Sequence, residues 1–360
     1  MTRRALNYRD YLRLDRLLAC QAPVSGRGGP AASDELLFII VHQAYELWFK
    51  QILFELGVVQ AEVAAPVVDD RAMGGIVHRL GRIAEIQGLL LRQLDVLATM
   101  TPLDFLEFRD RLFPASGAQS LQFRLIETRL GLRAADRVGL AARPPAAGLG
   151  AADRRVLRRA EAEPSLCDRV EAWLERTPFV ETGGYAFRDS YRQAVRDMLE
   201  RDAAVMRAGK SGRGVDLAAL EAARRHFDAL FDEAAHAALV AAGQWRFSAR
   251  ALQAALFINL YRDEPALQLP FRLLSLLMDI DENLTAWRYR HALLVQRMIG
   301  LKVGTGGSSG HDYLRQTADR HRVFKDLFAL STFLIPRSRL PALPAKLRRA
   351  MGYRYAEGGR

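Results

Sequence analysis

The sequence predicts an all-α fold, a helical bundle with helical excursions. Apolar residues recur at steps of three and four nearly throughout the 360 residues, and alternating strand patterns are scarce. Helix starts and glycine- or proline-rich stops punctuate that pattern at ordinary intervals. No repeat of the solenoid type is present. Hydrophobic residues make up 50% and charged residues 26%, which suits a globular chain able to bury a sizeable core.

The elements follow in order. Ser33 and Asp34 read as a helix start, with Asp34 and Glu35 placing negative charge in the first turn. Phe38, His42, Tyr45, Phe49, Ile52 and Leu56 then share one face of a long helix. A second helix is expected from about Met73 to Ala98 and a short one from Pro102 to Leu112. Pro114-Ala-Ser-Gly117 breaks the pattern and helix resumes at Gln119. The stretch from Arg133 to Ala152, rich in Pro, Gly and Ala, reads as a connection. Helix is expected again over Ala152–Glu163, Leu166–Arg176, Arg188–Ala208 and Leu217–Ala241, with a turn at 209–214 between the last two. Ser248–Tyr261 and Pro270–Met278 continue the pattern, and Leu284–Ile299 is a further long helix carrying Trp287, His291, Leu294 and Met298 on one stripe. A Gly/Ser/Thr loop ends it at Gly304–Gly310.

Several function classes are disfavoured. No run approaches the roughly 18 apolar residues of a membrane span. The opening MTRRALNYRDYLRL lacks an apolar stretch followed by small residues, so no signal peptide is expected and the cytoplasm is the default. Two cysteines, Cys20 and Cys167, cannot make a disulfide framework or a multi-cysteine zinc site. The net charge of +11 is concentrated around 137–160 and in the C-terminal segment, without aromatic interleaving, so it reads as a solvated basic surface with no nucleic-acid partner. No H-E-x-x-H helix occurs, and Gly306-Gly-Ser-Ser-Gly310, which has the G-x-S-x-G spacing, follows a helix where a nucleophile elbow needs a strand. Glu233-Ala-Ala-His236 matches half of a di-iron bundle motif, but a second Glu-x-x-His unit is missing, so a surface helical pair is expected.

The chemistry-bearing positions are individually ambiguous. His42 and His291 each sit on an apolar helical face, where a histidine is either a satisfied core residue or a ligand. Neutral imidazole is a common axial ligand of haem iron, and a bundle interior lined by Trp and Leu suits a flat apolar cofactor. Arg109, beside Phe105 and Phe108 and ahead of a Ser-Gly turn, is either a surface cation or a clamp for a small carboxylate. The Gly304-Thr-Gly-Gly-Ser-Ser-Gly310 loop lacks the ending and the preceding strand of a phosphate loop, and is either a linker or a cradle for a carboxylate or ammonium group.

Taken in order, these segments resemble one family. FIIVHQAYELWFK at 38–50, MTPLDFLEFR at 100–109, PASGAQSLQFR at 114–124, VEAWLERTP at 170–178, YRDEP at 261–265, WRYRH at 287–291 and GTGGSSG at 304–310 are similar to the tryptophan 2,3-dioxygenases, nearer the animal-type members. The likeness covers nearly the whole chain as a single domain, 1–360, and is weakest across 133–165 and 200–245.

The resemblance implies a haem b cofactor, ferrous when active, with His291 as its axial iron ligand and Ser116 and Gly117 bordering its distal face. It implies His42 on the distal side as the catalytic residue, receiving a hydrogen bond from the indole N–H. Phe38 and Phe105 would wall the indole pocket, with Arg109 holding the substrate carboxylate and Thr305 its carboxylate and ammonium end. Tyr8, Tyr11 and Leu12, in an N-terminal arm over residues 1–30, would reach a neighbouring subunit's pocket in a homotetramer. The implied reaction inserts both atoms of O2 across C2–C3 of L-tryptophan, or of a close indole amino acid, to give N-formylkynurenine. One departure stands out: the family usually has Phe after Pro-Ala-Ser-Gly, where this chain has Ala118. That change favours, as the alternative, a tailoring monooxygenase of the same fold acting on a modified tryptophan. A haem sensor without turnover would have no reason to keep His42, Arg109 and Thr305 together.

Overall fold

The computed structural model describes residues 6–26, 30–137, 148–182, 184–207, 227–300, 302 and 310–353. Fifteen α-helices account for most of them. These are α1 (Tyr8–Leu12), α2 (Leu14–Leu17), α3 (Glu35–Val63), α4 (Asp70–Leu97), α5 (Pro102–Arg109), α6 (Leu121–Leu130), α7 (Ala151–Ala162), α8 (Leu166–Leu174), α9 (Phe187–Arg207), α10 (Glu233–Ala241), α11 (Ala249–Leu260), α12 (Pro265–Ile299), α13 (Gly310–Arg320), α14 (Lys325–Ala329) and α15 (Ala345–Ala350). The only strands among the described residues are β1 (Glu181–Thr182) and β2 (Tyr185–Ala186), paired antiparallel with Thr182 opposite Tyr185. The fold is all-α, as the spacing predicts. Two-residue strands are too short to leave an alternating pattern.

By chain contacts the molecule divides into two compact units, one built from residues 1–54, 85–163 and 282–322, the other from 55–84, 164–281 and 323–360. In the first, the predicted face of α3 is buried at Tyr45, Phe49 and Ile52, while Phe38 and His42 on the same stripe are less covered. Aromatic rings join three helices there: Phe49 lies 5.5 Å from Phe123 of α6, and Phe123 lies 5.1 Å from Trp287 of α12. The Tyr45 hydroxyl donates to the Leu90 carbonyl of α4 at 2.5 Å. Leu125, Leu149 and Leu157 make a smaller cluster between α6 and α7. The expected charge at the start of α3 is partly redirected: Glu35 is buried and accepts from the backbone N–H groups of Val24 and Ser25 at 2.7 and 2.8 Å.

The second unit has its own aromatic core. Phe187 packs on Phe257 at 5.2 Å, Tyr191 on Phe231 at 5.5 Å, and Phe227 on Phe333 at 5.6 Å. Two expectations from the sequence need correction here. The expected helix Leu217–Ala241 is interrupted at 230–232, because the Asp232 side chain accepts from Ala235 N–H and starts α10 afresh. Residues 209–214, read as a turn, lie outside the described residues. Conversely, the segments expected at 270–278 and 284–299 are one 35-residue helix, α12, that also holds Pro270. The polar run between them reads as a break, but Asp281 is buried and its carboxylate accepts from the Val323 and Phe324 N–H groups at 3.1 Å. The polar side chain caps another segment and leaves the helix intact.

Candidate active site

A largely apolar cavity of about 210 Å³ opens within the first unit, and both singled-out histidines border it. His42 comes from the third turn of α3. Its Nδ1 lies 2.7 Å from the Phe38 carbonyl oxygen one turn back. A carbonyl only accepts, so Nδ1 carries the proton and Nε2 is left with a free lone pair. Burial lowers the pKa of His42, against smaller opposing effects of the Phe38 hydrogen bond and the Glu46 charge, which favours that neutral tautomer. The imidazole rests on Phe38, with ring centroids 4.0 Å apart, and Phe38 lies 5.8 Å from Phe105 and 5.6 Å from Phe108. Helix α5, started by a Thr101–Asp104 capping box, delivers both of the latter rings.

His291 projects from α12. Trp287, one turn earlier, stacks on it at 4.9 Å with planes 24° apart. The Trp287 indole N–H donates to the Tyr45 hydroxyl at 3.2 Å, so the stack is tied to α3 and through it to α4. Burial, with the nearby His42 adding to it, pulls the pKa of His291 down to about 4, so the ring is neutral at ordinary pH. Its Nδ1 is buried without a hydrogen-bond partner. A neutral, packed imidazole with an unmet nitrogen, on an apolar cavity, fits an axial ligand of haem iron. It does not fit a multi-ligand metal centre, and no group of three or more His, Cys, Asp or Glu that could hold an ion occurs among the described residues.

A charged cluster occupies another part of the same lining. Glu127 of α6 accepts from Arg288 at 2.7 Å and from Arg137 at 3.0 Å, and His321 Nδ1 stands 3.5 Å from its Oε1. All four side chains are buried. Burial alone would raise the pKa of Glu127, but the adjacent His321 ring and the two guanidinium charges outweigh it and hold the carboxyl far below the usual range.

The remaining predicted residues are distributed as follows. Gly117 borders the cavity, and a Cβ built on it meets nothing within 4 Å. Ser116 caps the short 3₁₀ turn that carries Gly117, its Oγ accepting from Ala118 N–H at 3.3 Å. Ala118 itself is part of the cavity wall. Arg109, half-buried at the end of α5, stands outside the lining of this cavity. Tyr8, Tyr11 and Leu12 of α1 are 74%, 69% and 40% exposed. Thr305 lies outside the described residues. Glu233 and His236 are no surface pair: Glu233 is exposed, whereas His236 is buried with Nε2 2.8 Å from the Phe247 carbonyl.

Comparison with known proteins decides the family. The family model for tryptophan 2,3-dioxygenase matches residues 1–334. The chain belongs to the tryptophan 2,3-dioxygenase family. It is 50% identical to the tryptophan 2,3-dioxygenase of Bdellovibrio bacteriovorus over 354 residues, 97% of this chain and 99% of that protein. Those of Dictyostelium discoideum and Aedes aegypti are each 46% identical, covering 97% and 96% of this chain and 88% and 89% of their own. Relatives of similar length thus include a bacterium as well as an insect, and the family makes the chain an oxidoreductase, a dioxygenase.

Sequence reasoning missed the Glu127 cluster. One signal was available: Glu127 interrupts the apolar set Phe123, Ile126 and Leu130 of α6. A carboxylate on a buried helix face requires partners, but nothing local says that one of them is Arg288, 161 positions away.

Proposed function

We propose that the protein is a haem-dependent tryptophan 2,3-dioxygenase that converts L-tryptophan and O2 to N-formylkynurenine, the first step of the kynurenine pathway. The observation that carries this reading is the pair of neutral histidines on one apolar cavity, His291 with an unmet buried nitrogen and His42 with its tautomer set by Phe38. His291 would hold the iron of haem b, and Ser116 and Gly117 would border the ring. When bound, ferrous haem supplies the activation of O2.

The chain's own residues bind and orient the substrate. His42 Nε2, as a lone-pair acceptor, receives the indole N–H and fixes which edge of the ring faces the oxidant. Phe38 and Phe105 wall the indole and exclude water. Arg109 holds the carboxylate with its planar fork, and Thr305 contacts the carboxylate and ammonium end. Both oxygen atoms finish as carbonyl oxygens on the former C2 and C3, the bond between those carbons is cleaved, and no reductant is consumed. The exposure of Tyr8, Tyr11 and Leu12 supports their reaching a neighbouring pocket in a homotetramer, within a cytoplasmic enzyme that needs no nucleic acid or membrane. No described helix is long and apolar enough to cross a membrane.

Reaction of the haem-loaded protein with tryptophan under isotopically labelled O2 tests the reading. Two labelled atoms in a formylkynurenine product are expected. One labelled atom, in a hydroxylated or oxindole product, would favour the monooxygenase alternative that the small Ala118 in the wall allows. A lasting oxygenated spectrum without product would instead mean a sensor. His291→Ala should lose the haem while keeping its helical circular dichroism, and full retention of haem would remove His291 as the ligand.

A further inference from the structure

We propose that the part of the cavity formed by Arg137 and Arg288 is a carboxylate-binding subsite, and that its occupants are the acid groups of the macrocycle; this rests on the haem reading above. Charge is the first ground. Arg137 and Arg288 are each 3% exposed, and both ion-pair with the same carboxylate, Glu127. Each Glu127 oxygen is already engaged, Oε1 by Arg288 and Oε2 by Arg137. Two guanidinium ions against one carboxylate leave a positive charge in a buried place, where an uncompensated ion is strongly unfavourable. The other acid on the lining, Glu46, is held by Gln122 at 2.7 Å, and Arg124 adds a further guanidinium, bonded through Nε to the Ala118 carbonyl at 3.1 Å.

Unmet hydrogen bonding is the second ground, independent of the first. Arg288 spends its other terminal nitrogen on the His321 carbonyl at 3.0 Å, and Arg137 donates to the Thr128 hydroxyl at 2.7 Å. The Arg137 Nε–H, however, is buried without an acceptor. A native structure seldom strands a buried charged donor, and an absent ligand is one of the few physical reasons for it. Arg137, Arg288 and Glu127 border the cavity that His42 and His291 also border, so a ligand gripped by His291 meets this edge. The chemistry required is an anion that accepts the Arg137 Nε–H and offsets the excess charge, and a carboxylate does both. An amino-acid substrate carries one such group as well. Arg109, which stands outside this lining, is the residue assigned to that group, so the cofactor's carboxylates are the occupants left for this edge.

The test is reconstitution of the full-length apo-protein with haem and with haem dimethyl ester, which keeps iron and ring but blocks both acids. Binding is followed by the Soret band and by quenching of tryptophan fluorescence, without recourse to turnover. Wild-type protein should prefer the free acid by about 10–150-fold, the worth of one charge-assisted hydrogen bond. Arg137→Gln should bind the ester as wild type does and lose most of that preference, while Arg137→Lys, which keeps the charge, should retain part of it. The second arm compares tryptophan with its methyl ester on the loaded enzyme, where Arg137→Gln should leave the ratio unchanged. Equal wild-type affinity for haem and its diester overturns the proposal while leaving the haem reading intact. Loss of the tryptophan-to-ester ratio with an unchanged haem preference moves the subsite to the substrate and overturns the cofactor assignment. Failure of wild type to bind either macrocycle overturns the haem reading, and the proposal with it. If Arg137→Gln does not fold, the wild-type ester comparison and Arg137→Lys still decide.

Discussion

Replacing Glu127 with glutamine removes one charge and almost no volume, so it isolates what the buried carboxylate does. In the native protein that carboxylate faces Arg137 at 3.0 Å and Arg288 at 2.7 Å, with every side chain of the cluster no more than 6% exposed. Glutamine can still accept a hydrogen bond but leaves both guanidinium ions without a counter-charge. Breaking a buried ion pair from one side destabilises by about 3–5 kcal/mol. At about 2–4 °C per kcal/mol for a cooperative unit of 150–250 residues, that predicts a drop in melting temperature of roughly 6–20 °C. The pH dependence follows with a definite sign. The folded pKa of Glu127 is depressed below its ordinary 4.5, so the stabilisation is complete above pH 4.5 and is lost as pH falls below it toward the folded value. Wild-type melting temperature should therefore decline with acid below pH 4.5, and Glu127→Gln should flatten part of that decline. Differential scanning calorimetry of the apo-protein at several pH values measures both effects. A change smaller than about 2 °C at neutral pH, at most about one kcal/mol by the same conversion, would refute the claim that an uncompensated buried charge is created. Adding Arg288→Gln to the first change should cost less than the two separate losses combined, because the partner charge has gone too.

Three further outcomes are expected. Arg109→Ala should raise the KM for tryptophan by about 10–150-fold, the worth of one charge-assisted hydrogen bond, with haem content unchanged by absorbance; an unaltered KM removes Arg109 from the site. Because burial lowers the pKa of His42 below 6.5, more acid is needed to protonate it, and kcat/KM for tryptophan should hold its plateau down through pH 6.5. An acid limb centred above 6.5 would refute a His42 whose pKa burial holds below its ordinary value. Ala118→Phe places a ring on the cavity wall and should lower kcat/KM for ring-substituted tryptophans several-fold more than for tryptophan itself, measured across a substrate series; parallel losses would show that Ala118 does not set substrate size.

The helical fold was legible because it is written locally. A 3.6-residue period records which side of each helix is covered, and the buried set Tyr45, Phe49, Ile52 and Leu56 of α3 follows it closely. Pattern failed where a polar side chain serves a distant segment. Asp281 reads as a break in α12 because its two acceptors' partners, the N–H groups of Val323 and Phe324, lie 42 and 43 positions on. Those partners satisfy the carboxylate without disturbing the helix that bears it.

The same limit explains why the histidines were ambiguous. Phe38 and His42 continue the α3 stripe in perfect register with the buried Tyr45 and Phe49, and His42 borders the same cavity as those two core rings. Periodicity reports which residues share a face, and it does not tell whether that face meets a packed core or a cavity. What separates them is unmet bonding: His236, a core histidine, gives a ring nitrogen to the Phe247 carbonyl, whereas Nδ1 of His291 is buried with nothing to bond. That difference depends on which helices border the cavity, α3, α6 and α12 among them, and no single helix carries it. Ordered motifs across the whole chain could therefore point to His291 when its own helix could not, because they carry the convergence that a local pattern omits.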